Sequence, residues 1–190
     1  MMGTGRRNMW IGIAAVALAQ ATVLGWMIWQ RAHLLSTGQE IVLEVIPVDP
    51  RSLFRGDYVA LGYDISRVPI TEGPPPIRRG SVIYVTLQKN GERWRPLTSS
   101  TTMPENLPAD QVFIKGRVEY ASAPTPNGPG QASIRYGIED FFVPEGAGRD
   151  LEKMVGEKKI DALIAVDAAG NAGIKGLMAD GKRVYEEPLL

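Results

Sequence analysis

Cysteine is absent from the 190 residues, and histidine occurs once, at His33. Without thiols there is no disulfide framework, no thiolate zinc or iron–sulfur site and no cysteine nucleophile. With one imidazole, neither a histidine-rich metal centre nor a Ser–His–Asp triad is expected. An excess of either charge is also missing: 21 Lys+Arg stand against 21 Asp+Glu. Nucleic-acid binders need a basic surplus to release counterions from phosphate, so that class is set aside. No Gly-rich segment links a strand pattern to a helix pattern as phosphate cradling requires, and no cofactor is implied.

What the sequence does have is one long apolar run. Residues 9–29, MWIGIAAVALAQATVLGWMIW, are 21 in number and carry no charge. As a helix they would span about 31 Å, matching the roughly 30 Å hydrocarbon core of a bilayer. Trp10, Trp26 and Trp29 lie near the ends, where amphipathic rings favour the headgroup layer, and His33 belongs to the same flank. Arg6 and Arg7 resemble the basic start of a secretory leader, and Ala17-Leu18-Ala19 resembles its cleavage site. The run nevertheless continues ten residues past that point, which favours an uncleaved anchor. Arg6 and Arg7 precede the span and Arg31 follows it. The positive-inside rule therefore predicts a single-pass inner-membrane protein with residues 1–8 in the cytoplasm, 9–29 in the membrane, 30–38 as a linker and 39–190 as a periplasmic domain. Residues 39–190 hold 18 of the basic and all 21 acidic residues, so net charge does not draw this domain to an anionic bilayer.

The body is read as mainly β, a barrel or sandwich with one short helix. Apolar residues alternate at 41–46, 58–65, 81–88, 112–118, 132–138, 162–167 and 172–177, the period of half-buried strands. Lys89-Asn90-Gly91-Glu92 suggests a type I′ hairpin into residues 93–95. The helical exception is 148–158, where Leu151, Met154 and Val155 recur at i, i+3 and i+4. The Pro-rich stretches 73–76 and 123–130 are loops, since proline breaks ladders and helices alike.

The densest motif is VDPRSLFRGDYVALGY at 48–63. Asp49-Pro50 starts a turn and Gly56-Asp57 precedes a strand. Arg51, Arg55 and Asp57 can form a local ion-pair network or grip a carboxylate through a guanidinium fork. Gly56, Asp57, Tyr58, Leu61 and Tyr63 fill the fixed positions of the motif that names the GDYXXLXY protein family. The upstream PVDPR at 47–51, YGIEDFFVPEG at 136–146, VDAAG at 166–170 and KGL at 175–177 also resemble that family. The resemblance covers nearly all of residues 40–177. It implies a bacterial membrane-anchored protein without an established activity, encoded with or joined to multi-pass membrane proteins. A membrane-protein partner is thus implied, and no catalytic residue is.

A second, partial resemblance is to membrane-anchored Ser/Lys signal peptidases. Ser52 precedes Gly56-Asp57, Arg79-Gly80-Ser81-Val82 resembles the next conserved strand, and Phe113-Ile-Lys-Gly-Arg117 resembles the lysine segment. Chemically, Lys115 would accept the Ser52 proton if burial lowered its pKa. Several features depart from that pattern: Leu53-Phe54 follow Ser52, a glycine splits the Lys–Arg pair, and Ser81 replaces an aspartate. Lys115 is also out of phase with Ile114 and Val118. Elsewhere, Glu139, Asp140 and Glu145 are carboxylates expected to be solvated. Asp167, Gly170 and Asn171 lack the spacing of a calcium loop.

The leading expectation is a non-enzymatic envelope protein, held in the lipid by residues 9–29, whose β-domain binds a multi-pass membrane protein. Contact candidates are Arg51, Arg55, Gly56, Asp57, Tyr58, Leu61, Tyr63, Phe142, Pro144 and Glu145. The alternatives are a peptidase using Ser52 and Lys115, or a small-ligand site lined by Tyr58, Tyr63 and Arg55.

Overall fold

The uncharged run lies inside a single 34-residue helix, α1 (Thr4–Thr37), in a computed structural model that describes residues 4–46, 58–70, 77–122, 130–142, 154, 157, 160–179 and 181–186. At 1.5 Å per residue α1 is about 51 Å long, well beyond a hydrocarbon core. Its apolar side chains face all directions, and Trp10, Leu18, Val23 and Trp26 are all well exposed. Past Trp29 the helix continues through residues 30–37, the stretch assigned to the linker. There Leu35 becomes buried.

The rest is β, with 52% of the described residues in strands. Among the described residues these are β1 (Gln39–Ile46), β2 (Tyr58–Ala60), β3 (Gly62–Tyr63), β4 (Arg67–Ile70), β5 (Val82–Asn90), β6 (Arg93–Ser100), β7 (Gln111–Ala121), β8 (Gly130–Arg135), β9 (Asp140–Phe142), β10 (Ile160–Val166), β11 (Ala172–Ala179) and β12 (Lys182–Glu186). They pair in the orders β12-β11-β10-β1-β3, β4-β8-β7-β5-β6 and β2-β9, all antiparallel. Together they form a nearly closed, barrel-like wall round one core. The alternation seen in the sequence decides which face is inside. Ile41, Leu43 and Val45 of β1 are buried, as are Ile83, Val85 and Leu87 of β5 and Val112, Ile114 and Val118 of β7. The fold class expected from the sequence is the one found.

Three local features differ from the expectation. The run 58–65 is not one strand: β2 pairs with β9, β3 pairs with the end of β1, and Asp64–Ser66 is a 3-10 turn. The chain changes sheets at Leu61, whose N–H donates to the Glu139 carbonyl at 2.8 Å. The β5–β6 hairpin has Gly91-Glu92 as its two central residues, with Asn90 opposite Arg93. Gly91 has φ +66° and neither neighbour is positive, so the turn is of the II′ kind, with glycine first, and not I′. Strands β4, β9 and β12 also form where no alternation marks them. The segment 148–158 lies outside the described residues except for Met154, which is helical and packs on the core, and Glu157.

Candidate functional site

The family-like motifs meet along one seam. Tyr63 is buried, and its hydroxyl donates to the Ile138 carbonyl at 2.8 Å. From the other side, the Tyr136 hydroxyl donates to the Ile65 carbonyl at 2.7 Å. Two phenols thus cross-brace residues 58–66 and 136–142, which lie far apart in the chain. Burial pushes both tyrosine pKa values up, and the nearby Glu139 carboxylate pushes further in the same direction.

The turn after Tyr136 is held by Glu139. Its carboxylate accepts the N–H of Tyr136 at 2.6 Å and of Gly137 at 2.9 Å, and Gly137 sits at φ +83°. Glu139 is therefore a turn cap and not a solvated acid. Arg135 lies across it, with Glu119, Asp140 and Glu139 at 3.4, 3.4 and 3.6 Å. Gly116 of β7 leaves room for this arrangement: a Cβ there would stand 2.8 Å from the Tyr136 ring and would overlap Ile134.

The VDAAG segment closes the opposite side. Asp167 Oδ1 accepts the N–H of Ala169 at 2.9 Å and of Asn171 at 2.8 Å, and Oδ2 accepts from Asn171 Nδ2 at 2.7 Å. Gly170, at φ +79°, offers its carbonyl to the Lys115 N–H at 2.7 Å. A Cβ on Gly170 would lie 2.6 Å from the Phe113 ring. The turn thereby seals the edge of β7 that β8 does not cover.

Beside this turn, helix and body join without slack. Gly38 donates to the Leu34 carbonyl at 2.9 Å, while the Ser36 and Thr37 hydroxyls both donate to the His33 carbonyl, at 3.1 and 2.8 Å. A Cβ on Gly38 would come within 3.1 Å of both Ala165 Cβ and Val166 N. The Arg31 guanidinium stands where a side chain on Gly173 would begin, 2.5 Å from an ideal Cβ. On the helix, the Trp29 and His33 rings stack at 5.2 Å, and Trp26 lies 5.2 Å from Trp29.

Two shallow grooves flank the Tyr136 seam. One, about 550 Å³, runs between β7, the turn before β5 and the β10–β11 turn, and is lined by Arg79, Lys115, Arg117, Glu119, Arg135 and Asn171. The other, about 520 Å³, is lined by Tyr63, Asp64, Arg67, Ser133, Arg135 and Glu139 among others. Burial raises the Asp64 pKa, and its Oδ1 has no hydrogen-bond partner among the described residues. No group of three or more His, Asp or Glu suited to a metal is found among the described residues.

Of the contact candidates, Arg51, Arg55, Gly56, Asp57, Pro144 and Glu145 lie outside the described residues, as does Ser52. The Tyr58 backbone pairs with Phe142 across β2 and β9. Leu61 and Tyr63 are core residues, so their place in the motif serves the fold. Phe142 is 69% exposed and is the described candidate best placed for a partner. Lys115 is half-buried in the first groove, and its ammonium bonds no side chain among the described residues. Sequence reasoning missed the tyrosine braces, the Glu139 cap and the clustering of Arg79 with Arg117. Position in the chain gives no sign of the braces or of the arginine cluster, which are long-range, whereas the Glu139 cap spans only two and three residues.

Comparison with curated proteins and with solved structures finds no match. A family model does match, over residues 20–177, and its description is GDYXXLXY protein. The match takes in the second half of the apolar helix, the junction at Gly38 and every seam described above; the chain belongs to the GDYXXLXY protein family.

Proposed function

We propose that this protein is a single-pass membrane-anchored domain that acts by binding, with α1 in the inner membrane, its start in the cytoplasm and the β-domain on the periplasmic side against a membrane-protein partner. The observation that carries this reading is the continuity of α1 with the folded body. A removable leader would end in an accessible cleavage segment. Here the helix after Trp29 enters the body at Leu35 and Gly38, so the final turns are part of the domain. The exposed apolar surface over residues 9–29 needs a cover that water does not provide, and a bilayer fits its length. A domain held this tightly to its anchor stays near the membrane surface, where an integral partner is within reach. Phe142, exposed beside the tyrosine seam, is the contact residue to test first.

The absence of cysteine makes the topology directly measurable. Single substitutions Asn8→Cys and Thr98→Cys, labelled in intact cells with a membrane-impermeant maleimide, should react at 98 and not at 8. Labelling at 8 alone would reverse the orientation, and recovery of a freely soluble chain lacking residues 1–29 would overturn the anchor. A photo-crosslinking residue at 142 should then capture one integral membrane protein reproducibly. Crosslinks to self alone would count against the partner.

A further inference from the structure

We propose that the groove between β7 and the β10–β11 turn binds the phosphate of an anionic phospholipid headgroup. The inference rests on the anchor reading above and adds a ligand to it.

Position comes first. Arg31 lies two residues beyond Trp29, about 3 Å further along the helix axis. Its guanidinium sits against Gly173, and Asn171 and Ala172, just before Gly173, line the groove. The headgroup layer extends about 5–7 Å beyond the hydrocarbon core on each side. With Trp26 and Trp29 at the interface, the mouth of the groove therefore stands at the level of lipid phosphates. Free soluble anions can enter it as well, but the lipid phosphate is the one held there by geometry.

Charge comes second. The domain as a whole is acidic, yet this groove gathers Arg79, Lys115 and Arg117; Arg135, also in its lining, is matched by Glu119, Glu139 and Asp140. Glu119 is engaged by Arg135 at 3.4 Å. Arg117 donates to the Gly80 carbonyl at 3.1 Å, which fixes its guanidinium near the rim. Arg79 and Lys115 have no ion-pair partner among the described residues. The Lys115 backbone is itself fixed by its bond to Gly170, so its ammonium is presented from a rigid edge. Two cations without an ion-pair partner among the described residues and a positioned guanidinium around an open groove suit a phosphodiester, which takes charge-assisted bonds from several donors. Local charge thus does what the net charge of the domain does not.

The test uses the full-length protein in detergent and in nanodiscs. Native mass spectrometry would follow retention of phosphatidylglycerol, phosphatidylcholine, glycerol 3-phosphate and inorganic phosphate. Phosphatidylglycerol should be retained over phosphatidylcholine, and retention should weaken with salt. Arg79→Gln or Lys115→Gln should each weaken it about fivefold, and the pair about twenty-five-fold. Arg79→Lys with Lys115→Arg should restore binding, which separates lost charge from lost fold. Equal retention of the two lipids, or equal retention by wild type and the double Gln variant, would overturn the proposal. So would inorganic phosphate binding as tightly as the lipid, since the ligand would then be a soluble anion. If the cysteine labels show α1 in the bilayer while these preferences are absent, the lipid site alone fails. If α1 is found outside the bilayer, the anchor reading fails too.

Discussion

Removing the Tyr63 hydroxyl tests whether the family signature holds the fold. In Tyr63→Phe the ring stays, so no large cavity opens, but the Ile138 carbonyl loses the donor that lies 2.8 Å away. Ile138 is fully buried, so its carbonyl has no solvent contact in the folded protein to take the place of the phenol. A buried acceptor left unpaired costs about 1–3 kcal/mol, and the upper half of that range is expected here. Tyr136→Phe removes the bond to Ile65, which is also fully buried, and should cost a similar amount. The two braces tie the same pair of segments. Once one is cut the seam can relax, so the double variant should cost less than the sum, by about 0.5 kcal/mol or more. Urea unfolding of the full-length protein in detergent, followed by far-ultraviolet circular dichroism, gives all four corners of the cycle. A single variant within about 0.3 kcal/mol of wild type would refute the brace, because a bond of neutral value cannot explain a buried phenol there. Strict additivity would refute the shared seam while leaving each bond intact.

The same phenols set an alkaline limit. Both folded pKa values are raised by burial, so below about pH 10 neither state ionises and stability is unaffected. Above it the unfolded chain releases protons that the folded one keeps. Stability should then fall by about 1.4 kcal/mol per pH unit per tyrosine, about 2.7 for both, and Tyr63→Phe should halve that slope in urea melts at stepped pH. Leu35→Ala should cost about 2–5 kcal/mol, as for any large core truncation, although the residue belongs to the anchor helix; an unchanged urea midpoint would separate helix from domain. Gly170→Ala must place a Cβ 2.6 Å from Phe113 at φ +79° and should lower stability by about 1–3 kcal/mol; a neutral result by thermal melting would show that the turn can withdraw from β7.

Much of the fold was legible because one face of each long strand is dry. Alternation at Ile41, Leu43 and Val45, or at Val112, Ile114 and Val118, is a direct record of burial on the wall of a core. Strands without that record were missed. β4 contains Pro69 and, among the described strands, is an edge strand paired with β8 alone, where a missing N–H is tolerated. β9 begins at an aspartate, and β12 contains Lys182, Arg183 and Glu186. The switch of sheets at Leu61 was illegible for another reason: Val59, Leu61, Tyr63 and Ile65 all face the core, and alternation is the same whichever neighbour a strand pairs with. The candidate site was harder still. A carboxylate at 139 reads as solvated until the N–H groups of Tyr136 and Gly137 are seen to point at it. Lys115 and Arg117 share one face of β7, but Arg79 comes from the turn before β5 and Arg135 from β8, and that gathering exists in the fold alone.

A signature can mark a family without marking its activity. Leu61 and Tyr63 are inside, Glu139 and Asp167 cap turns, and Gly116 and Gly170 make space for Tyr136 and Phe113. Each has a structural role in a contact within the chain. Among the described residues, the surfaces proposed to meet a ligand or partner are Phe142 at the seam and the cations of the β7 groove. The junction then decides how those surfaces are presented. A flexible linker over residues 30–38 would let the domain tumble and expose every face to the membrane in turn. If α1 is the proposed anchor, a helical junction closed by Gly38 and Leu35 would hold one end of the barrel toward the lipid, with residues near Asn171 and Gly173 facing it. Inserting two glycines after Thr37 would release that constraint while leaving anchor and barrel intact. It should reduce both the phosphatidylglycerol preference and crosslinking from position 142; unchanged values would show that presentation does not depend on the rigid joint.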